Sequence, residues 1–289
     1  MSVAIPLFTN EEVKENRDKF SFIDEFDGIP CSVKKFKKDA PLMRYLDEGS
    51  SAIGQVGKTA KASFSGTPLR YSIYNPTQAV WILKYYTNKN DLILDPFMGR
   101  GTRSQMSLYL ERKYVGYDVC DDTVNLNHVL SERNGFNKED YTFIKGDGVA
   151  MDDYKENNNC FDAVFTCPPY YNIEKYSGVD GDISFLNDKG FEDSIGHLFK
   201  NLYRLIKPSY YDRNEFHPVI ITVGSKRIGP GGLLDMDFLF QNKAKKEGFI
   251  LHDKLITENI SSIGAFTFRR NYIKKFVHKT HETTLVFLK

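Results

Sequence analysis

The chain has 289 residues, of which 41% are apolar and 27% charged, and its formal net charge is +1. That length supports one sizeable core with additions, or one domain plus a small one, and the near-neutral balance excludes a uniformly cationic coat, so any nucleic-acid surface must come from local clusters. No run approaches the ~18 apolar residues of a membrane span, and Met1 to Asn10 carry no basic region followed by an apolar core, which predicts a cytoplasmic protein without a membrane partner.

Residues 1–70 read as an N-terminal extension, with a helix predicted over Glu11–Lys19 and a mobile loop over 49–68, rich in Gly, Ser, Ala and Lys. Inside that loop, Gly54-Gln55-Val56-Gly57-Lys58-Thr59 imitates a phosphate loop, but only two residues separate its glycines and no strand precedes it, so the Walker pattern fails. From Asn75 the pattern becomes regular. Asn75 suits a helix N-cap and Pro76 the first helical position, and Ala79, Val80, Leu83 and Tyr86 recur at helical spacing.

A strand, Leu92–Leu94, then leads into Asp95 and a glycine turn, followed by a helix over Thr102–Arg112. A second strand, Tyr114–Tyr117, ends at Asp118, and a helix runs over Asp121–Asn134. A third strand, Tyr141–Ile144, precedes Gly146-Asp147-Gly148. A fourth, Phe161–Thr166, ends at Cys167. After a polar segment over 172–189 come a helix over Phe191–Leu205, a strand over Val219–Val223, a turn at Gly229–Gly232 and a helix over Asp235–Lys246. Two closing strands follow, Phe249–Leu255 and Thr283–Leu288. Strands alternating with helices predict a mostly parallel, seven-stranded Rossmann-like sheet with helices on both faces and an antiparallel edge hairpin, the whole occupying 71–289. Cys31, Cys120, Cys160 and Cys167 form no C-x-x-C pair, which argues against a structural zinc and for a reducing compartment; no metal is expected.

Ligands of such open sheets lie beyond the carboxyl ends of the strands, where Asp95, Asp118, Asp147 and Cys167 all fall. An acid at a strand end, a turn with two glycines and a helix make a cradle for a nucleoside-bearing cofactor, because glycine lets the backbone approach a ligand closely. The dinucleotide pattern G-x-G-x-x-G is not present.

Asp95-Pro96-Phe97-Met98-Gly99-Arg100-Gly101-Thr102 resembles the D-P-F-x-G-x-G-T motif of DNA amino-methyltransferases. Asn75-Pro76-Thr77-Gln78 is similar to the H-P-T-Q element that precedes it in many of them, with Asn for His. Thr166-Cys167-Pro168-Pro169-Tyr170 resembles their (D/N/S)-P-P-(Y/F/W) motif. These segments cover about a third of the chain. The resemblance implies S-adenosyl-L-methionine as cofactor. It would be held by Asn75, Thr77, Asp95, Pro96, Phe97, Met98, Gly99, Gly101 and Thr102, with Asp95 near its ammonium or an ordered water, Phe97 near the sulfonium, Asp118 on the ribose hydroxyls and Asp147 at the adenine amino group. It also implies that Cys167 and the Pro168 carbonyl accept hydrogens from an exocyclic amino group, that Pro168 and Pro169 stiffen the turn, and that Tyr170 stacks on a flipped base.

Cys167 departs from the family's Asp, Asn or Ser, and a thiol is a weak acceptor. Its near-isostery with Ser, the Lys175–Tyr176 pair, and the likeness to a phage-type group with T-C-P-P-Y and a late K-T-H (Lys279-Thr280-His281) favour cytosine N4 over adenine N6. Three alternatives stand beside this: an RNA amino-methyltransferase acting on guanine N2 or adenine N6, a cytosine-C5 enzyme using Cys167 as nucleophile, and a catalytically silent DNA-binding subunit. DNA contacts are expected from Lys175, Tyr176, Arg269, Arg270, Lys274 and Lys275, in lid or target-recognition segments near 172–190 and 259–281.

Overall fold

A computed structural model describes residues 31–36, 41–42, 44–46, 74–169, 181–213, 215–228, 232–258, 273, 275 and 280–289. The chain divides into a unit of residues Met1–Ser32 and a unit of residues Val33–Lys289, and nearly all described residues belong to the second. The helix expected over 11–19 and the loop expected over 49–68 lie outside the described residues.

Ten strands are described: β1 (Val33–Lys34), β2 (Leu92–Asp95), β3 (Lys113–Asp118), β4 (Tyr141–Lys145), β5 (Ala163–Thr166), β6 (Val219–Val223), β7 (Lys226–Ile228), β8 (Gly232–Leu234), β9 (Ile250–Glu258) and β10 (His281–Leu288). The five principal helices are α1 (Pro76–Tyr86), α2 (Thr102–Tyr109), α3 (Asp121–Arg133), α4 (Asp188–Leu205) and α5 (Met236–Lys246). The main sheet has the order β1-β9-β10-β6-β5-β2-β3-β4. Pairing is parallel from β4 through β6 and antiparallel at β6–β10 and β10–β9. This is the Rossmann-like layout expected, with one correction: the sheet has eight strands, not seven. The eighth, β1, pairs in parallel with the far end of β9 through Val33↔Ile256 and Lys34↔Thr257. Val33 and Lys34, between Ser32 and Lys35, carry no strand signature of their own; their pairing comes from the edge they add to.

Alternation along the strands explains the two helical layers. Leu94, Val115, Tyr117, Val164, Val219, Ile221, Leu285 and Phe287 join Phe191, Ile195, Leu198, Phe199 and Leu202 of α4 and Phe240 and Ala244 of α5 in one core. The intervening residues, among them Ile93, Tyr114, Phe165 and Ile220, are equally buried on the opposite face, where α2 packs on β3 and α3 on β3 and β4. Period-two exposure is lost because both faces are covered.

Element ends differ from expectation for identifiable reasons. Helix α2 stops at Tyr109, since Glu111 takes φ +63° and Arg112 turns back to cap α1, giving hydrogen bonds to the Leu83 and Thr87 carbonyls (3.1 and 2.8 Å). Helix α4 starts at Asp188, because Asn187 accepts from the Gly190 amide at 2.8 Å. Asp235 is the N-cap of α5 rather than its first residue, accepting from Phe238 N at 3.2 Å. Strands β7 and β8 pair antiparallel with each other, and the turn expected at 229–232 lies outside the described residues but for Gly232.

The chain runs from β2 outward through β3 to β4, then returns to β5 and continues the other way through β6. The order therefore reverses between β2 and β5, and a crevice opens at their carboxyl ends.

Candidate cofactor and base crevice

Two turns meet at this crevice: Pro96–Gly101 after β2, and Cys167–Pro169 after β5. The first is fixed on four sides. Met98 N donates to the Tyr117 carbonyl of β3 at 2.9 Å. Gly99 N donates to Asp118 Oδ2 at 3.2 Å, and the Gly99 carbonyl accepts from Asn127 Nδ2 of α3 at 2.8 Å. The Phe97 carbonyl accepts from the Arg103 guanidinium. From below, Gly148 presses so closely that a Cβ there would stand 1.8 Å from the Pro96 carbonyl oxygen. Gly101, with φ +97°, caps α2 in the left-handed region, and an added Cβ would lie 2.7 Å from Leu130 Cδ1. At Gly99, φ +56°, the nearest atom to an added Cβ is 3.8 Å away. The turn is clamped at its flanks and open at Gly99, as a cradle for a ligand requires.

Asp95, expected near an ammonium or an ordered water, sits at the end of β2. Its carboxylate is fully buried and accepts from Phe97 N (3.1 Å), Thr166 Oγ1 (2.6 Å), Arg103 Nε (2.7 Å) and Tyr114 Oη (2.7 Å). Four donors engage its two oxygens, so Asp95 braces the crevice. The bond from Thr166 crosses from β5 to β2 and ties the two turns together. Burial opposes the Arg103 charge and the Asp95 carboxylate supports it, with the net result that its pKa rises above its ordinary value.

Asp118, at the end of β3, is placed differently. It accepts from Gly99 N and from Cys120 N (2.9 Å) and is only half-buried. Burial above all, with Asp95 and Asp182 adding to it and the two amides opposing it, brings its carboxyl up to about 6. Asp147 is exposed after β4, where its Oδ1 accepts from Val149 N at 2.7 Å.

On the other turn, Cys167 is half-buried, Pro168 buried and Pro169 half-buried. Tyr170 lies outside the described residues, as do Lys175, Tyr176, Arg269, Arg270 and Lys274; Lys275 is exposed. Asn75 caps α1 through Thr77 N (3.0 Å) and donates to the Phe36 carbonyl (3.2 Å), so its side chain serves the backbone. Pro96 and Met98 are buried in the turn, Thr102 is buried at the start of α2, and Phe97 is half-buried.

Several residues of the crevice have no sequence motif to announce them. Tyr74 shares a hydrogen bond with Thr222 of β6 at 2.9 Å, which continues to Thr284 of β10 at 2.8 Å. Its ring stands edge-on to Phe165 (5.7 Å) and under the Arg103 guanidinium (5.5 Å). Asn127 is a buried amide that also holds Ser104 (2.5 Å) and the Thr123 carbonyl (2.9 Å). Its position on the apolar stripe of α3, between Val124 and Leu130, is the signal that would reveal it.

A family model described as DNA methylase matches residues 76–128, from α1 into α3. No curated protein matches the chain. Among solved structures, TrmN from Thermus thermophilus is similar at 15% identity, covering 75% of this chain and 49% of that one, with a TM-score of 0.46; the chain spans about half the length of that protein. A methyltransferase from Pyrococcus furiosus is similar at 15% identity over 84% of this chain and 98% of its own, with a TM-score of 0.48. The [4+2]-cyclase SpnF is similar at 12% identity over 89% and 99%, with a TM-score of 0.50. At such identities the likeness is one of fold. Among the described residues, no helix is long and apolar enough to cross a membrane, and no cluster of three His, Cys, Asp or Glu side chains is arranged to hold a metal.

Proposed function

We propose that the protein is an S-adenosylmethionine-dependent methyltransferase acting on the exocyclic amino group of a base in DNA, cytosine N4 in preference to adenine N6. One observation carries the reading: the Thr166–Asp95 hydrogen bond of 2.6 Å joins the Cys167-Pro168-Pro169 turn and the glycine turn across a single crevice where the strand order reverses. The DNA methylase match over 76–128 supports it from the sequence side.

The residues fit the cofactor. Gly99 leaves room at the backbone, and Asp118, an ionisable acceptor at the adjacent strand end, suits a ribose diol. When bound, S-adenosylmethionine supplies an electrophilic methyl group on a sulfonium, with a neutral thioether as leaving group. The protein's part is positional. The Pro168 carbonyl and Cys167 Sγ accept the two amino hydrogens, which localises the nitrogen lone pair and aims it. Pro168 and Pro169 have no amide hydrogen to compete for that carbonyl. Tyr170 stacks on the extruded base, and Lys175, Tyr176, Arg269, Arg270, Lys274 and Lys275 contact the strand. Alignment of an in-line displacement is the dominant contribution. A Cys167 thiol is a weaker acceptor than a carboxylate or amide, so more of the rate is left to the backbone carbonyl and stacking.

The test is expression in a methylation-deficient host followed by mass spectrometry of total DNA and RNA nucleosides. N4-methylcytosine in DNA is expected. N6-methyladenine would move the target, methylated RNA bases or 5-methylcytosine would overturn the substrate, and no new modified base would refute the activity.

A further inference from the structure

Past the end of β4, at Asp147, lies a cavity of about 310 Å³, at the small end of the ~300–1,000 Å³ range of ligand pockets. Its walls are unlike in character. Val149, Ile183 and Leu186 give it apolar surface, while Asp147 and Asp182 line it with carboxylates; Asn201 of α4 contributes an amide. Asp147 was expected from the sequence to meet an amino group. Asp182 comes from a distant segment and carries no motif.

The geometry shows why Asp182 is there. Gly181 takes φ +89°, and a Cβ on it would stand 3.1 Å from Val119 Cγ1 and 3.5 Å from Asp147 Cβ. The chain at 181 is thus pressed against the residues that follow both β3 and β4. Asp182 is buried, and its Oδ1 accepts from Ser184 N (3.0 Å) and Ser184 Oγ (2.6 Å) at the head of a short 3-10 turn, Ile183–Phe185. That capping fixes the Asp182 carboxylate in the wall of the cavity that Asp147 also lines, one residue beyond the glycine that lies against Asp147. A slot with apolar sides and two carboxylates at its rim suits a flat heterocycle bearing an amino group, since each carboxylate can accept one N–H. It disfavours a heterocycle with a carbonyl at the same position, whose oxygen would face two anions.

We propose that Asp182 is a specificity-determining residue of the cofactor site: with Asp147 it receives the 6-amino group of the adenine and rejects a 6-oxopurine. This rests on the methyl-donor reading above and extends it to a residue outside the motifs.

Calorimetric binding of S-adenosylhomocysteine and its 6-oxo counterpart, S-inosylhomocysteine, tests it without any need for turnover. The wild-type protein is expected to prefer the adenosyl ligand by roughly tenfold or more, the equivalent of one hydrogen bond to a charged group. In Asp182→Asn the preference should shrink by about tenfold, because an amide can donate to the 6-oxo group. Asn and Ser both retain a capping oxygen, so Asp182→Asn and Asp182→Ser should melt cooperatively near the wild-type temperature, and the Ser variant should also lose discrimination. An unchanged preference in a folded Asp182 variant overturns the assignment, whatever Asp147→Asn does. If the wild-type protein binds neither ligand, the methyl-donor reading fails and this one with it, which is a different result from binding both with discrimination untouched by Asp182.

Discussion

Replacing Arg103 by Met should be among the most damaging single changes to the described crevice. The Arg103 and Asp95 side chains are 6% and 0% exposed and meet at 2.7 Å. Removing the cation leaves the Asp95 carboxylate buried with only Thr166, Tyr114 and the Phe97 amide as donors. Breaking one side of a buried pair costs about 3–5 kcal/mol, because the surviving charge keeps its desolvation penalty. For a chain of this size, with a shift of ~2–4 °C per kcal/mol, the melting temperature should fall by roughly 6–20 °C. Urea unfolding followed by tryptophan fluorescence and circular dichroism gives the free energy. The control is the cycle with Asp95→Asn: that variant alone strands the guanidinium, whereas the double variant Asp95→Asn/Arg103→Met removes both charges and should recover more than half of the summed loss. A loss under about 1 kcal/mol for Arg103→Met, or strictly additive losses in the double variant, would refute the view that this pair braces the crevice.

Three further outcomes follow from the same geometry. Asp118, with a carboxyl raised to about 6, should make cofactor affinity rise about tenfold between pH 5 and pH 7 and then level off, as the ionised fraction goes from about a tenth to about nine tenths; isothermal titration across that range checks it, and Asp118→Asn should flatten the slope. The stability sign is opposite: a raised acid favours the fold below its unfolded value of 3.8 and that contribution disappears as pH climbs through about 6. Gly101→Ala, at φ +97° and 2.7 Å from Leu130 Cδ1, should cost more than Gly135→Ala, which has φ +73° but nothing within 4 Å; strain alone is worth about 1–3 kcal/mol, so equal losses in denaturant titrations would remove the packing argument. Cys167→Ser should retain methyl transfer to DNA within about tenfold, since the hydroxyl is a comparable or better acceptor; a thousandfold loss with cofactor binding intact, measured by radiolabel transfer, would instead point to a covalent thiol.

The strands that build the crevice were readable because each is a short apolar run closed by a turn residue. Leu92–Asp95, Lys113–Asp118 and Val219–Val223 were legible in this way, and so was the Asn75 cap. What escaped reading has a common cause. Helix α2, T-R-S-Q-M-S-L-Y, was expected as a helix, but its composition is polar and does not show that it is buried from Thr102 to Leu108. Its burial depends on partners far along the chain, such as Ser131 for Gln105 (2.8 Å) and Asn127 for Ser104 (2.5 Å). A local pattern cannot show a hydrogen bond formed across 23 or 26 positions. The same holds for β1, whose pairing is supplied by β9, and for Asp182, which shares a cavity with Asp147 because the chain at Gly181 lies against it.

Asp95 and Asp118 make the underlying point. Both are aspartates at the carboxyl ends of neighbouring parallel strands, and Asp95 pairs in register with Gly116, two residues before Asp118. Sequence position assigns them similar parts. What separates them is the number of donors each receives. Asp95 has two hydroxyls, an amide and a guanidinium, which together satisfy a buried anion; adding a ligand there would require displacing one of them. Asp118 has two amides, which hold the carboxylate in place without satisfying it, and burial leaves its ionised form poorly compensated. A diol that donates two more hydrogen bonds would supply what the protein withholds. The site is therefore divided between an acid that the fold has completed and an acid that a ligand would complete, and the second is placed to couple cofactor binding to pH.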